Sequence, residues 1–206
     1  MIQRAIAAVL SLFLLASVGG NAEAAGGKKK ARPSFEDASY WAGVWEGEER
    51  DEWQHPLVVL GLLAVRPGQT VADLGAGTGY FTRPMSLAVG DAGKVYAVDV
   101  EQAMLDHIRS RDDVRQERVV YVLSRPDDPM LPDGEIDLLL TLNTWHHIKK
   151  RAGYLEKLER CLAPDGRLVL IDFRADELPV GPPPKKKLSR ERVVEDQARR
   201  PLADGP

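Results

Sequence analysis

Thr70-Val71-Ala72-Asp73-Leu74-Gly75-Ala76-Gly77-Thr78-Gly79-Tyr80-Phe81 is the stretch on which the reading of this chain turns. It opens as a short apolar strand, carries a carboxylate at the strand's end, and turns through alternating glycines toward a helical pattern from Thr82. Glycines let the backbone take positive φ and let a ligand approach with no Cβ in the way. In an open parallel sheet, ligands bind outside the carboxyl ends of the strands, where the strand order reverses. The loop therefore sits where a nucleotide-like ligand belongs. Its spacing is Gly-x-Gly-x-Gly, not the Gly-x-Gly-x-x-Gly that rests a pyrophosphate on a helix N-terminus. Asp73 suits the ammonium of an amino-acid moiety and would repel a pyrophosphate.

Outward from this loop, four further apolar runs read as buried strands: Lys94 to Asp99, Val119 to Leu123, Ile136 to Leu142 and Arg167 to Phe173. Helical patterns lie between most of them, at Thr82 to Val89, Gln102 to Arg111 and Lys149 to Leu162. Such alternation predicts an α/β fold, Rossmann-like and doubly wound, with a mostly parallel sheet and helices on both faces. Asp99 ends the second strand, where a carboxylate can accept hydrogen bonds from ribose hydroxyls or simply cap the strand end. Upstream, Leu57 to Leu63 reads as a helix broken by Arg66-Pro67-Gly68-Gln69. Trp41 and Trp45 are four apart and share a face if their segment is helical.

The 206 residues suit one domain, and a net charge of −3 gives no long-range field for nucleic acid. A single cysteine, Cys161, excludes an internal disulfide and a multi-cysteine metal site, and its apolar helical setting reads as core. No spaced set of ligands suggests a metal. Met1 to Arg4 carries one base, Ala5 to Val18 is uncharged, and Ala22-Glu23-Ala24 is a small-x-small site. This order predicts a signal peptide over 1–24, with a periplasmic or secreted domain; an uncleaved membrane anchor is the alternative. A flexible basic linker (25–34), the domain (35–175) and a basic, Pro-rich tail (176–206) follow, with Ser189 as a candidate helix cap.

Val71 to Phe81 resembles the first motif of the class I S-adenosylmethionine-dependent methyltransferases, and Val95-Tyr96-Ala97-Val98-Asp99 is similar to their second. Asp137 to Leu140 resembles the strand leading to their acceptor site, and Leu162 to Leu168 the turn into their fifth strand. The resemblance spans about Asp51 to Phe173. It implies S-adenosylmethionine as cofactor, with Gly75 and Gly77 around its methionine part, Gly79 among the cofactor-binding residues, and Asp73 holding its amino group directly or through water. It further implies Asp99 on the ribose, Met104 near the adenine, and Asp127 or Asp128 on the adenine amino group. Asp128 precedes Pro129, so a turn-forming role stays open.

Asn143-Thr144-Trp145-His146-His147 follows the fourth strand, beside the expected position of the methyl group. Asn143 is counted with the cofactor residues. His146 and His147 are the candidates for a general base on an acceptor hydroxyl or amine. The nucleic-acid amino-methyltransferases carry Asn/Asp-Pro-Pro-aromatic here, so the expected acceptor is a small molecule, lipid or protein. Two departures from the family remain. Its closing antiparallel strands have no visible counterpart after Phe173, which would leave an exposed sheet edge for a partner to cover. A signal peptide would also carry the domain away from the compartment where the cofactor is made. A cofactor-binding protein without catalysis is thus the alternative, with a nicotinamide-dependent oxidoreductase behind it.

Overall fold

The computed structural model describes residues 34–198. The expected signal peptide, and the linker apart from Ser34, lie outside the described residues. Five strands, β1 (Thr70–Leu74), β2 (Lys94–Asp99), β3 (Val119–Leu123), β4 (Ile136–Leu142) and β5 (Leu162–Ile171), form one sheet in the order β3-β2-β1-β4-β5. Every pairing is parallel. The chain winds outward from β1 through β2 to β3 and then returns to lay β4 on the other side of β1. The order therefore reverses between β1 and β4, where Asp73 lies opposite Leu140 and Leu74 opposite Thr141.

Side chains of a strand alternate between faces, and this chain uses both. Val71, Val95, Leu138 and Leu140 pack with Phe81, Met85 and Val59, from α4 (Thr82–Ala88) and its approach and from α3 (Pro56–Leu63). Ala97, on that same face, meets Leu105 and Ile108 of α5 (Gln102–Arg109). Ala72, Leu74, Leu139 and Leu168 turn the other way, against Tyr154, Leu155 and Leu158 of α6 (Arg151–Cys161). Two short helices, α1 (Ala38–Trp45) and α2 (Glu48–Gln54), precede α3. Asp37 caps α1 by accepting the Tyr40 N–H at 3.0 Å.

Three features differ from the sequence reading. β3 is not a buried strand: Val120 is 38% and Leu123 50% exposed. It is an edge strand, and the crossover from β3 to β4 contains no helix to cover its outer face. β5 begins at Leu162, five residues earlier than expected, because the turn through Pro164-Asp165-Gly166 is a large bulge within the strand. The segment assigned to the tail returns to the body as α7 (Arg190–Ala198), where Val193 joins the core against α6. Ser189 caps α7, its Oγ accepting the Arg192 N–H at 3.2 Å. Buried Asp196 pairs with Arg151. Among the described residues the sheet has no antiparallel strand, and no helix is long and apolar enough to cross a membrane. Cys161 is buried, and burial pushes its thiol up to about 11, which keeps it protonated.

Candidate active site

The loop after β1 is held by β2. Gly75 and Ala76 donate their N–H groups to the carbonyl of Val98, at 2.8 and 3.0 Å. Asp99, at the end of β2, reaches across: its Oδ2 accepts the Gly77 N–H at 2.8 Å, and its Oδ1 accepts the Glu101 N–H at 3.0 Å. One carboxylate thus fixes the glycine loop and caps its own strand. Gly75 and Gly77 have φ of +76° and +54°. A Cβ on Gly75 would lie 2.3 Å from Thr144 Oγ1, and one on Gly77 3.4 Å from Trp45 Cζ3. At Gly75 a Cβ would have to displace Thr144, while at Gly77 it would only touch Trp45 and the constraint is the positive φ. Gly79 serves packing, since its Cβ would lie 2.9 Å from Ile108 Cγ1 of α5.

Asp73 is buried at the end of β1, where its Oδ2 accepts the Thr82 hydroxyl at 2.7 Å. Desolvation pushes its carboxyl up to about 6, the Thr82 hydrogen bond opposes this, and nearby Asp99 adds to the rise. Asp99 is itself raised by burial, despite its backbone donors. Two poorly solvated carboxylates beside one loop make a site that favours a bound cation. Arg50 of α2 supplies a partial answer. Its guanidinium carbon stands 3.9 Å from the centre of the Tyr80 ring, and its charge acts on Asp73.

An aromatic helix covers this cradle. Trp41 and Trp45 of α1 stack at 4.7 Å. Trp45 lies over Gly77, and Trp41 packs on Met104 and Ala38. Met104, in the first turn of α5 after β2, is buried beneath Trp41. Glu46, just past α1, pairs with Arg111, which also donates to the Thr78 carbonyl of the glycine loop at 3.2 Å. The lid is thus latched to the loop it covers.

The acceptor side abuts the cradle through Thr144, whose side chain fills the space over Gly75. Asn143 has φ +54° and donates from Nδ2 to Gln54 Oε1 at 2.9 Å, tying α2 to the end of β4. His146 and His147 lie side by side, ring centres 4.2 Å apart. Their settings differ. His146 Nδ1 is 2.8 Å from Asp172 Oδ1, and its backbone N–H donates to Asp172 Oδ2 at 3.0 Å. His147 is exposed, and what burial it has, together with the neighbouring imidazole, lowers its pKa. Asp172 directly follows β5, so the residue that orients His146 arrives from the next strand. The sequence reading missed it, although it ends a strand as Asp73 and Asp99 do. Phe173 faces His146 at 6.3 Å and Trp53 at 5.8 Å, and Phe35 faces His147 at 6.2 Å.

Asp127 and Asp128 are not drawn into the cradle by any hydrogen bond. Asp128 closes its own turn: Oδ1 accepts the Met130 N–H at 2.9 Å, and Oδ2 pairs with Lys157 Nζ at 2.8 Å. That lysine also donates to the Asp127 carbonyl at 2.7 Å, while Asp127 is exposed. The turn-forming role left open for Asp128 is the one its contacts display.

Residues 72–170 match the family model described as a methyltransferase domain. The chain is 34% identical over 112 residues to the ubiquinone/menaquinone biosynthesis C-methyltransferase UbiE of Vibrio campbellii, covering 52% of this chain and 42% of that protein. Its fold superposes on the crystal structure of a SAM-dependent methyltransferase from Aquifex aeolicus. The TM-score is 0.72, at 29% identity, over 79% of this chain and 86% of that one. Residues 72–170 are a methyltransferase domain, with the fold of the S-adenosylmethionine-dependent methyltransferases.

The chain spans less than half the length of the UbiE relative. The fold alone does not fix the chemistry of such a domain. The structure of the [4+2]-cyclase SpnF is also similar, with TM-score 0.59 at 16% identity, over 70% of this chain and 54% of that one. The residues of the methyltransferase domain themselves fit the cofactor. Buried Asp73 has the chemistry to hold an ammonium, and Asp99 at the end of β2 to accept ribose hydroxyls; burial raises the carboxyl pKa of both despite the hydrogen bonds each accepts.

Proposed function

We propose that this domain transfers the methyl group of S-adenosylmethionine to a planar small-molecule or lipid acceptor carrying an ionisable hydroxyl, of the phenol or hydroquinone kind. The observation that carries the reading is the His146–Asp172 pair at 2.8 Å, placed at the ends of β4 and β5 next to the loop that abuts Gly75. An ionised Asp172 takes the proton of Nδ1–H as a hydrogen bond and leaves Nε2 with its lone pair. Nε2 then accepts the proton of the acceptor hydroxyl, which makes the oxygen, or the ring carbon beside it, nucleophilic. The bound cofactor supplies an electrophilic methyl group, so what is left to the protein is alignment and the exclusion of water.

The aromatic surroundings favour a flat ring over a flexible chain. Phe35, Trp53 and Phe173 stand around the two histidines, and Trp41 and Trp45 cover the cofactor side. The relatives named for quinone biosynthesis point to the same acceptor class. The test is a turnover assay with S-adenosylmethionine and a panel of hydroquinones, phenols and primary amines, read as S-adenosylhomocysteine formed. Methylation of the hydroquinones or phenols is expected. Binding of the cofactor with no turnover on any acceptor would instead leave a binding protein. The secretory leader over residues 1–24 belongs to the same proposal, and N-terminal sequencing of exported chain, with Ala25 first, tests it.

A further inference from the structure

The cradle and the acceptor wall leave unused a collar of lysines beside His147. Lys149 and Lys150 follow that histidine by two and three residues, on the approach to α6. Lys185 and Lys186 lie in the short turn Pro184–Lys186, behind the prolines at 182–184. Burial and the His146 imidazole lower the His147 pKa, and the charge of Lys186 adds to this, which places that ammonium close by. All four lysines are exposed, and none has a carboxylate partner among the described residues. The neighbouring cations are already engaged. Arg151 and Arg192 share buried Asp196, and buried Lys187 donates to the Asp176 carbonyl at 2.8 Å. A chain with a net charge of −3 thus gathers four unpaired positive charges on one rim.

The surroundings of the collar suit a boundary between water and lipid. Phe35 is 42% exposed and faces His147 at 6.2 Å, which sets an apolar ring beside the lysines. Lys28, Lys29, Lys30 and Arg32 stand just before Phe35 in the sequence and add four more positive charges. Lys149, Lys150 and Arg151 line, with Arg192 and Asp196 of α7, a cavity of about 240 Å³, room enough for a phosphate group. We propose that the rim of Lys149, Lys150, Lys185, Lys186 and Phe35 docks on an anionic lipid surface, with the lysines on headgroup phosphates and the ring in the interface. Lysines spread over two segments match a plane of many phosphates better than one small anion. Each lysine near such a surface tightens binding by about fivefold, and an aromatic ring beside them partitions into the interface. Docking in this way turns the His146–His147 side toward the bilayer, so an apolar acceptor reaches it without crossing water. The proposal goes beyond the methyl-transfer reading, and vesicle binding is read without turnover, so either can fail alone.

Co-sedimentation of the full chain with two kinds of vesicle tests it, phosphatidylcholine alone and an equal mixture of phosphatidylcholine and phosphatidylglycerol. The chain is expected to bind the mixed vesicles at least about tenfold more tightly, and added salt should weaken this. The double variant Lys150→Gln, Lys186→Gln should lose about 10- to 30-fold on the mixed vesicles. Arg83→Gln with Arg109→Gln removes the same net charge from α4 and α5, which pack on the opposite face of the sheet from α6. That pair should stay within about twofold of the unaltered chain, because a charge beyond the Debye length of the lipid surface is screened from it. Equal binding to both kinds of vesicle overturns the proposal, since the apolar run of residues 5–18 would then drive it. An equal loss in the two double variants overturns it as an effect of net charge alone. No loss in the lysine variant overturns it in favour of residues 28–32. Capture of a single-stranded RNA with no binding to either vesicle reassigns the collar and overturns it as well.

Discussion

In the cofactor cradle the deciding hydrogen bonds are short in sequence: Asp73 to Thr82, and Gly77 to Asp99. Around the acceptor the contributors come from further apart: Gln54 meets Asn143 across 89 positions and Phe35 approaches His147 from the N-terminal end, whereas His146 meets Asp172 across 26, little more than the 22 between Gly77 and Asp99. The cradle is one strand–loop–helix unit braced by its neighbouring strand. The acceptor wall is an assembly of α1, α2, the loop after β4 and the end of β5. A local unit can be carried from one protein to another with its chemistry intact. An assembled wall changes whenever any of its contributors does, which is where substrate choice can vary on a constant cofactor site.

The comparison breaks if a wall residue proves to bind cofactor. His146→Ala is expected to lower kcat by about 10²- to 10⁴-fold, the usual worth of a positioned base. S-adenosylhomocysteine affinity should stay within about twofold, measured by calorimetry on the same preparation. Asp172→Asn should follow it in kcat, because an amide can donate to Nδ1 and leave Nε2 as the protonated nitrogen. A large loss of cofactor affinity in either variant would merge the two regions into one.

Asp73→Asn should act on the cradle with two opposite signs. The raised carboxyl, at about 6, means that the folded chain holds a proton that the unfolded chain, near 3.8, has already lost. Stability therefore falls as pH rises from about 4 to 6, and at pH 7 the ionised Asp73 costs on the order of 3 kcal/mol. Asparagine removes that cost and can still accept the Thr82 hydroxyl, so scanning calorimetry at pH 7 should show a Tm several degrees higher. The same variant loses the ammonium's partner, and S-adenosylhomocysteine affinity should drop by about 10- to 100-fold. In the unaltered chain that affinity should weaken as pH falls below about 6, where Asp73 takes up a proton. A variant both less stable and unable to bind would mean that Asp73 is a structural residue.

The same contrast governs what could be read before the structure. Asp73, Gly75, Gly77 and Asp99 announce themselves because alternating glycines and strand-end carboxylates are patterns within a short window. Asp172 obeys the same strand-end rule and was open to it; what the sequence lacks is any sign that its partner would be His146 rather than His147. Arg50 carries no local signal at all, since its meaning depends on α2 folding back over Tyr80. β3 misled for a physical reason. Val119-Val120-Tyr121-Val122-Leu123 is apolar enough for a buried strand, yet burial on both faces needs a helix on each, and the following crossover supplies none. Val193 shows the converse: a polar, basic segment hid one apolar residue that α6 buries.

The smallest effect is expected where cradle and wall are joined. Glu46, at the end of the lid helix, pairs with Arg111, and Arg111 also donates to the Thr78 carbonyl in the glycine loop. Arg111 keeps Asp113 as a second carboxylate partner, so removing the charge of Glu46 does not strand it. Glu46→Gln should therefore cost the fold about 1 kcal/mol or less. Its effect belongs to the lid: with α1 less firmly latched, S-adenosylhomocysteine should leave faster, by about three- to tenfold in stopped-flow release, with a smaller change in association. Trp45 fluorescence gives the readout, since that side chain lies over Gly77 and senses the cradle directly. If release is unchanged while stability falls, the Glu46–Arg111 pair only braces α1 against α5, and the lid is a fixed wall rather than a door.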